Sequence, residues 1–240
     1  MNRGLRALLI TAALAASARA AGDLSAVDAL YWSRDKPGHL ERCLDELRAG
    51  LASSPDDPAL LWREGRALVR RGEDLSAKKE RLADFLAAEN ALSRAVAADP
   101  KSVDAHFWYG VAMGRRGETQ GVLKSLFLIK PIRREMHATL ALDPNHGGAY
   151  RVLGEMLWQI PGFAGGDKKK ALEDYETAVR LDPSYTANYQ VLAEAYLHFG
   201  RKDDAIRVLK AVSQVKSPRD PAQYPEDLRD AQKLLAELAR

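Results

Sequence analysis

Four prolines, Pro55, Pro100, Pro144 and Pro183, each close a segment of similar character, and this recurrence constrains the fold more than any other feature of the chain. They follow Leu51-Ala52-Ser53-Ser54, Val96-Ala97-Ala98-Asp99, Leu140-Ala141-Leu142-Asp143 and Val179-Arg180-Leu181-Asp182. A proline cannot continue the helix before it and disfavours helical backbone in the residue ahead of it, so each marks the end of one helix and the approach to the next. Counting from the prolines tests their register. Ten residues on stand Gly65, Gly110, Gly154 and Ala193; six on, Leu61, His106, Tyr150 and Tyr189; thirteen on, Leu68, Met113, Leu157 and Tyr196. These offsets share one helical face. Counting back from the last three prolines, Ala88, Ile132 and Ala171 stand twelve before, Leu92, Met136 and Tyr175 eight before, and Ala95, Thr139 and Ala178 five before. The same offsets before Pro55 give Cys43, Leu47 and Gly50. Small residues recur where two helices must approach, and large ones where a ridge must fill the gap.

A small residue in the first helix, an alanine early in the second, an aromatic or leucine one turn later and a closing proline resemble the tetratricopeptide repeat. The cleanest copy runs Tyr150, Leu153, Gly154, Leu157, Ala171, Tyr175, Ala178 and Pro183, and the next runs Tyr189, Leu192, Ala193, Tyr196, Ala205 and Leu209, ending near Pro218. The resemblance implies an all-α fold: a right-handed superhelical array of antiparallel helix pairs, an α-solenoid, with a C-terminal capping helix. The expected organisation is a divergent first pair over 24–54, repeats at about 56–99, 101–143, 145–182 and 184–217, and a cap over 225–239. Successive prolines lie 45, 44, 39 and 35 residues apart, against about 34 in the standard repeat. The surplus is expected between the helices of a pair, at Arg71–Lys79, Gly117–Lys130 and Ile160–Asp167, on one rim of the array.

Phe107-Trp108-Tyr109-Gly110, the loop from Pro161 to Ala171 and the stretch Pro225-Glu226-Asp227 carry a narrower resemblance. They are similar to a bacterial group of secreted tetratricopeptide proteins that includes those associated with TRAP transporters, and distantly to the eukaryotic regulators of microtubule dynamics. For the transporter-associated members this implies a periplasmic partner-binding role with ligand passage. Those members are commonly lipoproteins, whereas the only cysteine here is Cys43, far from any lipobox position.

The N-terminus supports export. Arg3 and Arg6 precede an apolar run from Ala7 to Ala16, and Ala18-Arg19-Ala20 offers a small-x-small cleavage site. That pattern predicts a signal peptide over 1–20 and a periplasmic or secreted protein. The apolar run is shorter than the roughly 20 residues a spanning helix needs, so no integral membrane segment is expected in the mature chain. The whole sequence holds 36 basic and 33 acidic residues, a net charge of +3. Because Arg3, Arg6 and Arg19 all lie in the signal, the remainder is balanced, which argues against nucleic acid or an anionic membrane as partner. One cysteine permits no internal disulfide.

Catalytic signatures are absent from the sequence. His39, His106, His137, His146 and His198 form no metal-binding pair on one helical turn, and no HExxH, GxSxG or P-loop spacing occurs. The reading is therefore a non-enzymatic protein without cofactor or metal. In Gly165-Gly166-Asp167-Lys168-Lys169-Lys170, the lysines Lys168, Lys169 and Lys170 could frame an anion nest. Asp167 also reads as an N-cap followed by a solvated basic face, and that reading is favoured. The first helix of each tetratricopeptide pair lines the concave face, which places Trp62, Arg66 and Arg70, Phe107 and Arg115, Arg151, Glu155 and Trp158, and Gln190, Glu194 and His198 there. Aromatics beside arginines are a hot-spot composition; the alternative for the aromatics is packing against neighbouring helices. The asparagine positions of a chaperone-tail carboxylate clamp hold Arg66, Val111, Glu155 and Glu194, so that role is not expected. The partner is expected to be a protein or peptide bound in the groove. The alternative is a solute-binding accessory of a transport system, its cavity closed by the apolar insert Gly117–Lys130 with Val122, Leu123, Leu126, Phe127, Leu128 and Ile129; the same insert could equally be a buried helical extension.

Overall fold

A computed structural model describes residues 24–240, together with all their side chains except those of Val122 and Leu123. The expected signal segment, 1–20, lies outside the described residues. Among them the regular structure is entirely helical: α1 over 24–32, α2 (His39–Ser53), α3 (Pro58–Asp74), α4 (Lys78–Ala98), α5 (Val103–Gln120), α6 (Val122–Ser125), α7 (Ile129–Leu142), α8 (Gly147–Gln159), α9 (Lys168–Leu181), α10 (Ala187–His198), α11 (Lys202–Val212) and α12 (Tyr224–Leu238). Short 3₁₀ turns cover Leu126–Leu128 and Gly162–Ala164. Antiparallel pairing joins α3 to α4, α5 to α7, α8 to α9 and α10 to α11, and α12 covers α11.

Local chemistry sets the starts of the helices. Asp57 accepts from the amides of Ala59 and Leu60 while Pro58 occupies the first helical position of α3, where its missing N–H costs nothing. Ser102 caps α5 through the Ala105 amide, and Asp167 caps α9 through the amides of Lys169 and Lys170. At α8 the cap is His146, whose Nδ1 accepts from the Ala149 amide at 3.1 Å.

The repeated small positions are where backbones touch neighbouring side chains. A Cβ on Gly65 would sit 2.3 Å from Leu92 Cγ, and one on Gly110 would sit 2.3 Å from Met136 Cε. Ala88, Leu92, Ala95, Met136, Thr139, Ala171, Tyr175 and Ala178 are all buried, so the counted register is the register of the core. That core has two main parts: one runs from Val27 to Leu153, and a second from Ala171 to Ala231. They meet at α8.

The first two surplus lengths resolve differently from expectation, whereas the third, 160–167, lies between α8 and α9 as expected. No loop forms at Arg71–Lys79: α3 continues to Asp74 and α4 begins at Lys78, so most of the extra residues lengthen the two helices. Arg71 fixes that extension by donating to both oxygens of Asp84 across the pair, at 2.7 and 2.6 Å. In the second pair α5 runs on to Gln120, and a compact turn follows from Gly121, whose φ of +99° suits glycine.

The ends of the array also meet. Arg34, after α1, donates to Asp220, before α12, at 2.6 Å across 186 residues of sequence. Arg219 pairs with Asp182, and its amide donates to Ser184 O. The Thr186 hydroxyl donates to Asp227 of α12. The segment before α12 thus folds back and closes the groove on one side.

Candidate partner-binding groove

The helices α3, α5 and α8 bring Arg66, Arg70, Phe107, Arg115 and Arg151 to the walls of two adjoining clefts. The upper cleft, about 100 Å³, lies among Tyr31, Trp32, Arg66, Phe107, Trp108 and His146. The lower, about 380 Å³, lies among Glu73, Arg81, Arg115, Arg151 and Gln223. Arg70 and Tyr185 line both.

Each expected groove arginine is held by an acid of this chain. Asp28 receives Arg63 through two nitrogens and Arg66 Nη2 at 2.9 Å, and the Arg66 guanidinium also lies 3.5 Å from the centre of the Tyr31 ring. Glu73 bridges Arg70 at 2.9 Å and Arg115 at 2.6 Å. Arg70 reaches the Tyr185 hydroxyl at 3.2 Å, and Arg151 pairs with Glu155 one turn on. Burial by itself would raise the Glu73 pKa, but the Arg70 and Arg115 charges outweigh it and bring it down to about 2. Arg70 shows the mirror case: burial disfavours its charge, yet Glu73 and the neighbouring oxygens push its pKa well above the ordinary value.

Not every hydrogen-bonding group is satisfied. The Nε atoms of Arg66, Arg81 and Arg151 are buried with no acceptor among the described residues. Arg66 lines the upper cleft, and the other two line the lower. Three such donors around two joined clefts call for an explanation, because buried polar groups are normally paired.

The aromatic and polar residues of the expected set differ in their surroundings, and of them Phe107 lines the upper cleft. Trp62 is half-buried, flanked by the guanidinium groups of Arg63 and Arg66 at 4.3 and 4.8 Å. Phe107 is buried, edge-on to Trp108 and against His146, so packing accounts for most of its surface. Trp158 is half-buried in a separate aromatic group with Tyr175, His198 and Phe199. Gln190 and Glu194 bond to each other at 3.1 Å near the surface of α10. Lys168, Lys169 and Lys170 are exposed, and Asp167 already occupies two of the amides that an anion nest would use.

Residues 23–160 match the family described as Regulator of microtubule dynamics protein 1-3. The chain belongs to this family. A tetratricopeptide repeat family matches residues 163–238, so the two matches meet where the two cores do. Regulator of microtubule dynamics protein 1 of Bos taurus is 27% identical over 190 residues, covering 72% of this chain and 58% of the relative. Regulator of microtubule dynamics protein 3 of Bos taurus is 20% identical, covering 74% of this chain and 41% of the relative. The chain therefore spans less than two thirds of the length of these relatives. In fold it is similar to a thermophilic tetratricopeptide protein of Thermus thermophilus, with TM-score 0.64 and 19% identity over 84% of this chain and 91% of that one.

In this member of the regulator-of-microtubule-dynamics family, several groove residues fall outside the repeat register. Tyr31, Arg34, Tyr185, Arg219 and Asp220 sit in the divergent first helix or in connections. Glu73 carried a partial signal, three residues after Arg70 on the same helix. The insert Gly117–Lys130 splits between its two expected roles: Leu128 is buried, whereas Leu126 and Ile129 line a third cleft of about 290 Å³ with Val152, Met156, Ile160 and Pro161.

Proposed function

We propose that the protein is a non-enzymatic adaptor whose concave groove holds an extended segment of a protein partner. The observation that carries this reading is the pair of joined clefts, about 100 and 380 Å³, walled by Arg66, Arg70, Arg81, Arg115 and Arg151. An extended peptide presents carbonyl and carboxylate oxygens to such guanidinium groups, while Trp32, Trp108 and Tyr185 supply apolar walls. Glu73 and Arg70 are unsuited to acid–base catalysis. A general acid or base works with a pKa near the ambient pH, and the groove pairs push Glu73 and Arg70 away from it in opposite directions. The signal-like segment 1–20 supports a periplasmic or secreted site of action.

Peptides selected on the purified protein from a displayed random library, with affinity then measured by calorimetry, test this reading. Arg81→Leu is expected to weaken a selected peptide by about tenfold, the loss of one charge-assisted hydrogen bond. Selected peptides that bind the variant equally and protect only outward-facing helices from hydrogen exchange would sink the proposal. N-terminal sequencing of the exported protein checks cleavage after Ala20.

A second reading, a solute-binding accessory of a transport system, is favoured by the third cleft, where the insert forms one wall with Leu126 and Ile129. A rise in melting temperature with a small apolar molecule, abolished by Met156→Trp, would support it.

A further inference from the structure

Phe127 and Phe163 are the two most exposed large apolar side chains among the described residues, at 84% and 93%. Single exposed apolar residues are ordinary on a protein surface and need no account. These two are not scattered. Phe127 follows Leu126 and Phe163 lies two residues after Pro161, and Leu126 and Pro161 line the same cleft. Two inserts, from different repeats, thus raise one bare phenylalanine each on the same rim.

The inserts themselves are basic, although the cleft between them is lined by Glu118 and Glu155, and Arg134 pairs with Glu135. Residues 121–134 and 160–171 together carry seven basic side chains against a single acid, Asp167. Lys124, Lys130, Lys168, Lys169 and Lys170 are exposed, and none forms an ion pair among the described residues. The acid of this stretch is occupied as the α9 cap. Overall charge balance outside 1–20 conceals this local excess, and the sequence expectation against an anionic membrane holds only for the chain taken as a whole.

We propose that this rim docks the protein on an anionic membrane surface, with Phe127 and Phe163 entering the headgroup boundary and the lysines facing the lipid phosphates. Apolar tips within a basic skirt are the composition of interfacial binding. The residue type separates this surface from the groove. Lysine is a flexible, hydrated point charge suited to a diffuse anionic layer, whereas the groove uses arginine, whose fork matches a defined acceptor. A protein partner would require a shaped surface around each anchor, but a side chain exposed as fully as Phe163 has almost no surroundings of its own. A membrane needs none. No helix among the described residues is long and apolar enough to cross a bilayer, so the contact lies on the surface.

Co-sedimentation of the purified protein with vesicles tests the proposal, comparing phosphatidylcholine alone with vesicles in which phosphatidylglycerol makes up about a third of the lipid. Binding is expected only to the anionic vesicles and is expected to weaken as salt rises. The paired change Phe127→Asp and Phe163→Asp should reduce partitioning by about tenfold or more. Replacing Lys168, Lys169 and Lys170 by Glu should reduce it by on the order of 100-fold, at about fivefold for each lost cation. Lys101→Glu with Lys233→Glu, which changes the same kind of charge elsewhere, should leave it near the wild-type level. Circular dichroism melts of all variants establish that each is folded.

Absence of binding to anionic vesicles overturns the proposal, as does wild-type binding by the double phenylalanine variant. Equal competition by soluble polyglutamate would reduce the effect to charge alone and overturn it too. Self-association that depends on Phe127 and Phe163, seen by sedimentation velocity without vesicle binding, would assign the rim to a second copy of the chain instead.

Discussion

The concave face and the insert rim both concentrate positive charge, yet they hold it in opposite ways. On the concave face Arg66, Arg70, Arg115 and Arg151 are half-buried or buried and lie against Asp28, Glu73, Glu118 and Glu155. On the rim, Lys124, Lys130, Lys168 and Lys169 stand exposed without carboxylate partners among the described residues. Buried charge in a low-dielectric setting must be neutralised locally, because desolvation otherwise exceeds what the fold can support. Exposed charge has no such requirement, and of these lysines Lys168 lies 4.9 Å from the centre of the Trp158 ring. The groove therefore presents charge that is already paired, while the rim is a diffuse field with two apolar points.

Breaking the groove network should have the largest effect. Glu73→Ala leaves Arg70 and Arg115 without their shared acid, and the expected loss is about 3 kcal/mol, or roughly 6–12 °C in melting temperature for a chain of this size. A loss below about 1 kcal/mol would mean that the groove is not held by its ion pairs.

Acid titration sharpens the same point. Glu73 has its folded pKa lowered from 4.5 to about 2. Its stabilisation is then complete above the unfolded value and disappears as pH falls through that window towards 2. Urea unfolding between about pH 5 and pH 2.5 should cost the wild type about 2 kcal/mol more than Glu73→Gln, which has no proton to gain there.

A smaller effect is expected at the clasp between the ends of the array. A double-mutant cycle on Arg34→Met and Asp220→Asn should give a coupling of about 1 kcal/mol. Hydrogen exchange should also quicken in α1 and in the segment before α12 together, and quickening in only one of them would show that the two ends open independently.

The rim should be the least sensitive. Lys168→Ala with Lys169→Ala is expected to change stability by under about 0.5 kcal/mol. A clear destabilisation would place these lysines in the fold's own support and erase the contrast with the groove.

Much of the fold was legible because the repeat has a physical cause. Gly65 and Gly110 are small because Leu92 and Met136 fill the space that a side chain would need, and such contacts recur at fixed offsets once helices stack in register. The concave placement of Arg66, Arg70, Arg115 and Arg151 followed from the same periodicity. Glu73 and Glu155 stand three and four residues on from Arg70 and Arg151 on the same helices, but the other partners did not follow. Asp28 precedes the regular repeats, and Tyr185 and Asp220 lie in connections, where no period applies. Phe107 and Trp158 had the right register for the groove, but neighbouring rings decided their surroundings. The surplus at Arg71–Lys79, expected between the helices, mostly lengthens them, with Arg71 reaching Asp84 across the pair.

By itself the sequence determined the helical pairs, the seams between them and the face each helix presents, since all of these depend on residues a few positions apart. Only the tertiary structure decided how charge is distributed in space. The closure of Arg34 on Asp220, the reach of Arg66 to Asp28 and the placing of Leu126 and Pro161, near Phe127 and Phe163 in sequence, on one cleft depend on how the stacked pairs curve. Curvature accumulates from small rotations between repeats, and no short stretch of sequence contains it.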